Sequence, residues 1–186
     1  MIELETDRML IRDVRASDAD AFHQYMRQEQ YWRDAPIEPP TPESVEALVN
    51  RSVENQSQSP RTDFFLAAID KRSEQLVGEA ILHVRSIRWR QAEIGWGVSS
   101  THTGRGFATE IGRAMLRHGF AVLGLHRAFA QCRVENLASR RIMAKLGMRE
   151  EGVMRENVFA RGEWWSSAQS SILSTEWRGR TEAPTQ

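Results

Sequence analysis

Residues 92–116 read AEIGWGVSSTHTGRGFATEIGRAML, and a change of period inside this stretch decides the fold. Up to Val98 the apolar residues alternate. Ala92, Ile94, Trp96 and Val98 share one face, while Glu93, Gly95 and Gly97 share the other, which is the period of a strand. From Phe107 the spacing lengthens: Ile111, Ala114 and Met115, widened by Leu116 and Phe120, recur as on a helix. Between them Gly104 and Gly106 flank Arg105 in a strand-to-helix turn. The first amides of a helix lack intrahelical acceptors and sit at the positive end of its dipole, so such a turn can receive an anion. Glycine leaves the backbone approachable, and an arginine adds a charged donor. Two glycines alone serve a plain tight connection equally well. Their spacing matches neither the Gly-Lys-Ser/Thr ending of a phosphate-binding loop nor the dinucleotide-binding GxGxxG. The strand before the turn favours a ligand, because Gly95 and Gly97 on one face mark a bulge or a place where something lies against the backbone.

Working outward, Ile2–Val14 reads as one extended segment. Ser17, with Asp20 three residues on, resembles a capping box opening a helix that carries Phe22, Tyr25, Met26 and Glu29. Four prolines in residues 36–42 make a loop, and Thr41-Pro42 starts a second helix with the stripe Val45, Leu48, Val49 and Val53. Phe64–Ile69 and Leu76–Val84 read as strands. After the helix at Phe107 comes a strand over Arg127–Val134, then a helix over Leu137–Leu146 closed by Gly147. Gly152–Phe159 and Trp164–Leu173 form a final hairpin. The order predicts one α/β domain over residues 1–177, too antiparallel for a doubly wound fold, and a polar tail over 178–186.

The 25 basic and 25 acidic side chains balance, without the basic excess of a nucleic-acid or membrane-surface binder. The one cysteine, Cys132, makes neither an internal disulfide nor a cysteine-rich metal site and reads as core. The five histidines have no ligand spacing, so no metal is expected. His102, beside the glycine turn, is the only one placed to handle a proton or a phosphate. With no secretory leader and no apolar run long enough to span a bilayer, a cytoplasmic protein is expected.

A splayed strand feeding an anion-binding helix suits an extended ligand with a pyrophosphate at one end and an amide-bearing arm, the layout of coenzyme A. The passage resembles the acyl-CoA-binding motif of the GNAT superfamily of N-acetyltransferases, Gln/Arg-x-x-Gly-x-Gly/Ala. Thr103 stands at the Gln/Arg place, Gly106 at the glycine and Ala108 at the last position. The likeness extends through TDRMLIRDVRASDADAF, LVGEAIL and RAFAQCRVENLASRRIMAKLGMREEGVMRE, and the Asn-x-x-Ser-Arg-Arg and Lys-Leu-Gly-Met elements place it nearest the RimJ/RimL-like branch. It implies a mostly antiparallel central sheet of about seven strands, with a splayed fourth and fifth pair and about four flanking helices.

It further implies an acetyl-CoA-dependent N-acetyltransferase acting on a primary amine, at a protein N-terminus or on a small molecule, as a monomer or homodimer. Val98, Ser99, Thr103, Gly104, Arg105, Gly106, Phe107, Ala108, Thr109, Asn136, Ser139 and Arg141 would hold acetyl-CoA. Glu93 would act as the base through water, although an acid alternating with apolar residues also reads as the exposed side of a strand. A strand amide near Val98 would meet the oxyanion. Asn136 reads first as a helix cap with Ser139 at the third helical position, and the resemblance adds contacts with the CoA arm. Where many relatives carry a tyrosine acid this chain has Met143, which leaves the Ser139 hydroxyl to donate to the thiolate. Arg140, Arg141 and Lys145 read as a solvated basic face or as contacts to the 3′-phosphate. Tyr31, Trp32, Trp164 and Trp165 are candidate walls of the acceptor site, and Ser166 replaces an aspartate common in the branch. A non-catalytic acyl-CoA sensor and a plain nucleotide-binding module are the alternatives.

Overall fold

The computed structural model describes residues 1–177; the predicted tail over 178–186 lies outside the described residues. Eight strands form one sheet in the order β1-β2-β3-β4-β5-β6-β8-β7. They are β1 (Glu3–Glu5), β2 (Met9–Asp13), β3 (Asp63–Asp70), β4 (Leu76–Ser86), β5 (Gln91–Val98), β6 (Arg127–Arg133), β7 (Arg149–Ala160) and β8 (Glu163–Leu173). The helices are α1 (Ala19–Met26), α2 (Glu29–Trp32), α3 (Pro42–Asn55), α4 (Phe107–Arg117) and α5 (Leu137–Lys145). The sheet has one strand more than the expected seven because the N-terminal segment folds on itself. Thr6 bonds Met9 through both its backbone N–H and its side chain, making a hairpin of what reads as one strand.

The expected capping box at Ser17 and Asp20 is not used. A short 3₁₀ turn, Ala16–Asp18, precedes α1, and the Asp18 carboxylate accepts from Arg15 N–H at 2.8 Å and from both terminal nitrogens of Arg12. The Thr41 cap holds as read, its hydroxyl accepting from Ser44 N–H. Glu29 opens the separate helix α2 rather than extending α1.

Two apolar layers cover the sheet. On one face α4 and α5 pack Phe107, Ile111, Met115 and Met143 against Met9, Leu66, Leu82 and Ile94. On the other, α1 and α3 pack Phe22, Tyr25, Met26, Val45 and Val49 against Ala67 and Phe65. This second face also carries Glu93, Gly95 and Gly97.

One break in the ladder positions the site. Among the described residues β5 and β6 are the only parallel neighbours, and they pair only over Gln91–Glu93 with Arg127–Phe129. Beyond Glu93 they part, while β5 stays in register with β4 from Ala92 to Val98, and β6 with β8 from Arg127 to Arg133. The strand is splayed as expected, but without a bulge against β4 between Ala92 and Val98. The opening is the departure of β6.

Candidate active site

Ser99 N–H donates to Val77 C=O at 2.8 Å. Backbone groups on a strand alternate in direction, so Gly97 and Gly95 also address β4, and the N–H and C=O groups of Trp96 and Val98 point the other way, into the wedge. The Val98 N–H is thus directed towards the wedge, away from β4.

The glycine turn closes the wedge at the end of β5. Gly104 and Gly106 take φ of 73° and 85°, the left-handed region that favours glycine. A Cβ on Gly104 would meet nothing within 4 Å. Among the described residues no side chain caps α4, and its first ladder bond runs from Glu110 N–H to Gly106 C=O, so the amides of Phe107, Ala108 and Thr109 precede the helical ladder. Thr103 spends its hydroxyl on Ser100 C=O at 2.9 Å. Ser99 is buried, with its hydroxyl 2.9 Å from His102 Nδ1, and the His102 ring lies edge-on to Phe107. These contacts make both residues braces of the turn. A brace that sequence reasoning missed is Arg8, which donates to Arg105 C=O, bonds Glu110 and stacks 4.2 Å over Phe107.

At the end of β6, Asn136 caps α5, its Oδ1 accepting from Ser139 N–H at 3.0 Å. Met143 is buried in the core, so α5 offers no acid there. Arg140 is tied to Glu150 at 2.8 Å, whereas Arg141 is exposed without an ion pair among the described residues. Lys145 lines an open cleft of about 1410 Å³ that runs from Gly106 along α4. Burial pushes the Cys132 thiol up to about 11, so it carries no thiolate near neutrality. Among the described residues no cluster of three or more His, Cys, Asp or Glu is placed to hold a metal, and no helix is long and apolar enough to cross a membrane.

Glu93 lies on the Gly95 and Gly97 face, at the last paired position of the wedge. Both Nε and Nη2 of Arg85 donate to its Oε2. Four residues further along β5, about 13 Å at the rise of a β-strand, the neighbouring strand β4 lays a second carboxylate over Gly97. Glu79 pairs with Gly97 across β4 and β5 and is 2% exposed. A Cβ on Gly97 would stand 2.4 Å from Glu79 Oε1 and 2.1 Å from the Tyr25 hydroxyl. Tyr25 and Tyr31 lie against this carboxylate, yet Glu79 Oε2 and the Tyr25 hydroxyl make no hydrogen bond of good geometry. Burial pushes the Glu79 pKa up to about 7, and the two tyrosine hydroxyls offset part of that rise. The sequence signal was available: LVGEAIL carries an acid inside an apolar strand run.

Tyr31 also borders a pocket of about 420 Å³ lined by Met26, Ile37, Pro39, Pro40, Val45 and Leu48. The loop that forms its rim is tied to the β7–β8 hairpin by Arg161. That guanidinium donates to the carbonyls of Trp32, Arg33, Ala35 and Ile37 and stacks 4.5 Å from the centre of Trp165. Trp32 and Trp165 therefore belong to this clamp. Trp164 is 61% exposed and packs on Phe159. Ser166 accepts from Glu156 N–H and holds a bulge in β7.

Residues 8–149 match the model of the acetyltransferase (GNAT) domain. An uncharacterized N-acetyltransferase, YnaD of Bacillus subtilis, is 29% identical over 176 residues, covering 95% of this chain and 99% of its own. The crystal structure of a GNAT-family acetyltransferase from Bacillus anthracis superposes with a TM-score of 0.82 at 29% identity, over 94% of this chain and 100% of that one. Mycobacterium smegmatis RimJ in complex with CoA-disulfide shares the fold with a TM-score of 0.81 at 23% identity, over 98% of this chain and 90% of that one.

Proposed function

We propose that this chain, which belongs to the GNAT acetyltransferase family, moves an acetyl group from acetyl-CoA directly to a primary amine within one ternary complex. The observation that carries the proposal is the wedge between β5 and β6. Free backbone groups at Trp96 and Val98 line it, and two uncapped or side-chain-capped helix starts close it. The amides of Phe107, Ala108 and Thr109, with Arg105, would hold the pyrophosphate. Gly104 and Gly106 keep that surface clear, and Asn136 and Ser139 would meet the arm that carries the thioester. Arg141, exposed and without an ion pair among the described residues, would be offered to the 3′-phosphate. Thr103 and Ser99 contribute by shaping the turn.

The chemistry needs a neutral amine, a stabilised oxyanion and a proton for the departing thiolate. The Val98 N–H, directed into the wedge, would receive the oxyanion, and the Ser139 hydroxyl would donate to the sulfur. The Gly95 and Gly97 face is where the amine would lie, and one of the two carboxylates on that face, Glu93 through water or Glu79, would accept its proton. Tyr31, at the edge of the 420 Å³ pocket, and Trp32, in the Arg161 clamp, would border the acceptor. The acceptor is a primary amine, either a protein N-terminus or a small molecule.

The test is calorimetric titration with acetyl-CoA, followed by thiol release against N-terminal peptides, polyamines and alkyl amines. Binding together with amine-dependent release supports the transferase. Binding as tight for ADP as for CoA, with no release on any amine, points to a nucleotide-binding module instead.

A further inference from the structure

We propose that Glu79 is the group that takes the proton from the acceptor ammonium, and that the acceptor is a primary amine on an apolar body, entering beside Tyr31. The inference rests on the acetyl-transfer reading and sharpens one step of it, the choice between two carboxylates on one face of the sheet.

Position separates the two. Glu79 lies over Gly97, between Trp96 and Val98, whose backbone groups open into the wedge. Glu93 stands at the closed end of the wedge with one oxygen already taken by Arg85. Any side chain at residue 97 would collide with Glu79 and Tyr25, so glycine there lets the carboxylate reach across the face of β5. The titratable groups facing Glu79 are Tyr25 from α1 and Tyr31 from α2. β3 and β5 present Ala67 and Gly97 opposite it, and no cation among the described residues contributes to its surroundings. A fully buried carboxylate with an unpartnered oxygen and no counter-ion is a group awaiting a proton or a cation. An incoming ammonium supplies both. Tyr31 is shared between this cage and a mostly apolar pocket lined by Met26, Ile37, Val45 and Leu48, with Glu38, Thr41 and Ser44 also in its lining. An amine seated there on an apolar carbon chain therefore has its nitrogen directed towards Glu79.

The step balances without another reactant. The ammonium N–H breaks and its proton goes to the Glu79 carboxylate, leaving a neutral amine and a neutral carboxyl. The nitrogen lone pair forms the C–N bond at the thioester carbon, and the C–S bond breaks as the tetrahedral centre collapses. The second N–H proton goes to the thiolate, which the Ser139 hydroxyl holds meanwhile, and Glu79 returns its proton to solvent after product leaves. A carboxyl titrating near pH 7 suits this work, being ionised enough to accept and basic enough to pull.

Thiol release from acetyl-CoA would be followed between pH 5.5 and 9 for the wild type, Glu79→Gln, Glu93→Gln and Tyr31→Phe. The probe amines are hexylamine, spermidine and a peptide with a free alanine N-terminus. We expect hexylamine to give the highest kcat/KM and the wild-type profile to rise with an apparent pKa near 7. Glu79→Gln should lower kcat about 100-fold or more and lose that limb, with acetyl-CoA affinity unchanged, while Glu93→Gln keeps the limb. Tyr31→Phe removes a hydroxyl that favours the ionised carboxyl, so its limb should move to higher pH, which a purely structural tyrosine would not produce. A Glu79→Gln enzyme within threefold of wild type with its limb intact overturns the assignment and leaves the transferase standing. So does a limb lost only in Glu93→Gln. Wild-type protein that binds acetyl-CoA yet acetylates none of the amines overturns the transferase reading, and the Glu79 assignment with it.

Discussion

Single residues set the chemistry here through what they are denied. Glu79 is denied water and a counter-ion, so its folded-state pKa lies near 7, above the ordinary 4.5. The consequence for stability has a definite sign. Between about pH 4.5 and 7 the unfolded chain has already lost this proton while the folded chain keeps it, so rising pH removes stability across that window. The loss is on the order of 3 kcal/mol by pH 8. Urea unfolding at pH 5 and pH 8 should show that decline in the wild type and a much smaller one in Glu79→Gln; equal declines would place the pKa elsewhere. Gly106 is denied a side chain. At φ 85° an alanine costs about 1–2 kcal/mol, and its Cβ would stand 3.4 Å from the Arg8 guanidinium that braces the turn. Gly106→Ala should lower both the melting temperature and acetyl-CoA affinity, whereas Gly124→Ala, at φ 63° and far from the turn in sequence, should lower only the first. The two sites were unequally legible. Gly106 announces itself where one period gives way to another. Glu79 sits in a run that reads as an ordinary buried strand, and only its pairing with Gly97 across β4 and β5 shows what it touches.

Elements were legible where their signal is local. The alternation of β5, the Thr41-Pro42 start of α3 and the Asn136 cap of α5 all read correctly, because each depends on a few adjacent residues. The division of the N-terminal segment into β1 and β2 was missed, since it depends on Thr6 bonding back to Met9. The start of α1 was misread for a similar reason: the Asp18 carboxylate is shared between Arg15 N–H and Arg12 on β2. The loop after α2 is the element least visible in sequence. Residues 32–37 have little helix of their own, and their order comes from four carbonyls converging on one side chain from the distant hairpin, Arg161. Charge-assisted bonds of this kind are each worth about 1.5–3 kcal/mol at most, less where exposed. Arg161→Met should therefore speed amide exchange through residues 33–37 and raise KM for the amine severalfold, with acetyl-CoA affinity unchanged. Lysine at this place cannot reach four carbonyls with a planar fork, so Arg161→Lys should restore little. Unchanged exchange in Arg161→Met would show that the loop is ordered by its own packing.

At the scale of the whole molecule, the sheet is complete except where two parallel strands separate, and beyond that opening β5 leads through the glycine turn to α4 and β6 through a short turn to α5. An open α/β sheet places ligands outside the carboxyl ends of its strands, where adjacent connections diverge, and among the described residues the parallel pair that parts in this way is β5 and β6. The edge left there is internal, flanked by sheet on both sides, so a ligand strand can add to it without exposing a new edge. Two consequences can be measured together. Acetyl-CoA at a hundredfold excess over its Kd should stabilise the fold by about 2.7 kcal/mol, which for a chain of this length raises the melting temperature by about 5–10 °C. ADP at the same concentration engages only the turn before α4 and should raise it less. Amide exchange then locates the difference. Gly97 and Ser99 donate towards β4 and should exchange slowly with or without ligand. Trp96 and Val98 face the wedge, and should exchange fast in the free protein, stay fast with ADP and slow markedly with acetyl-CoA. If ADP protects them equally, or if acetyl-CoA leaves them fast while still raising the melting temperature, the arm does not lie along β5. The oxyanion role of Val98 would fall with it.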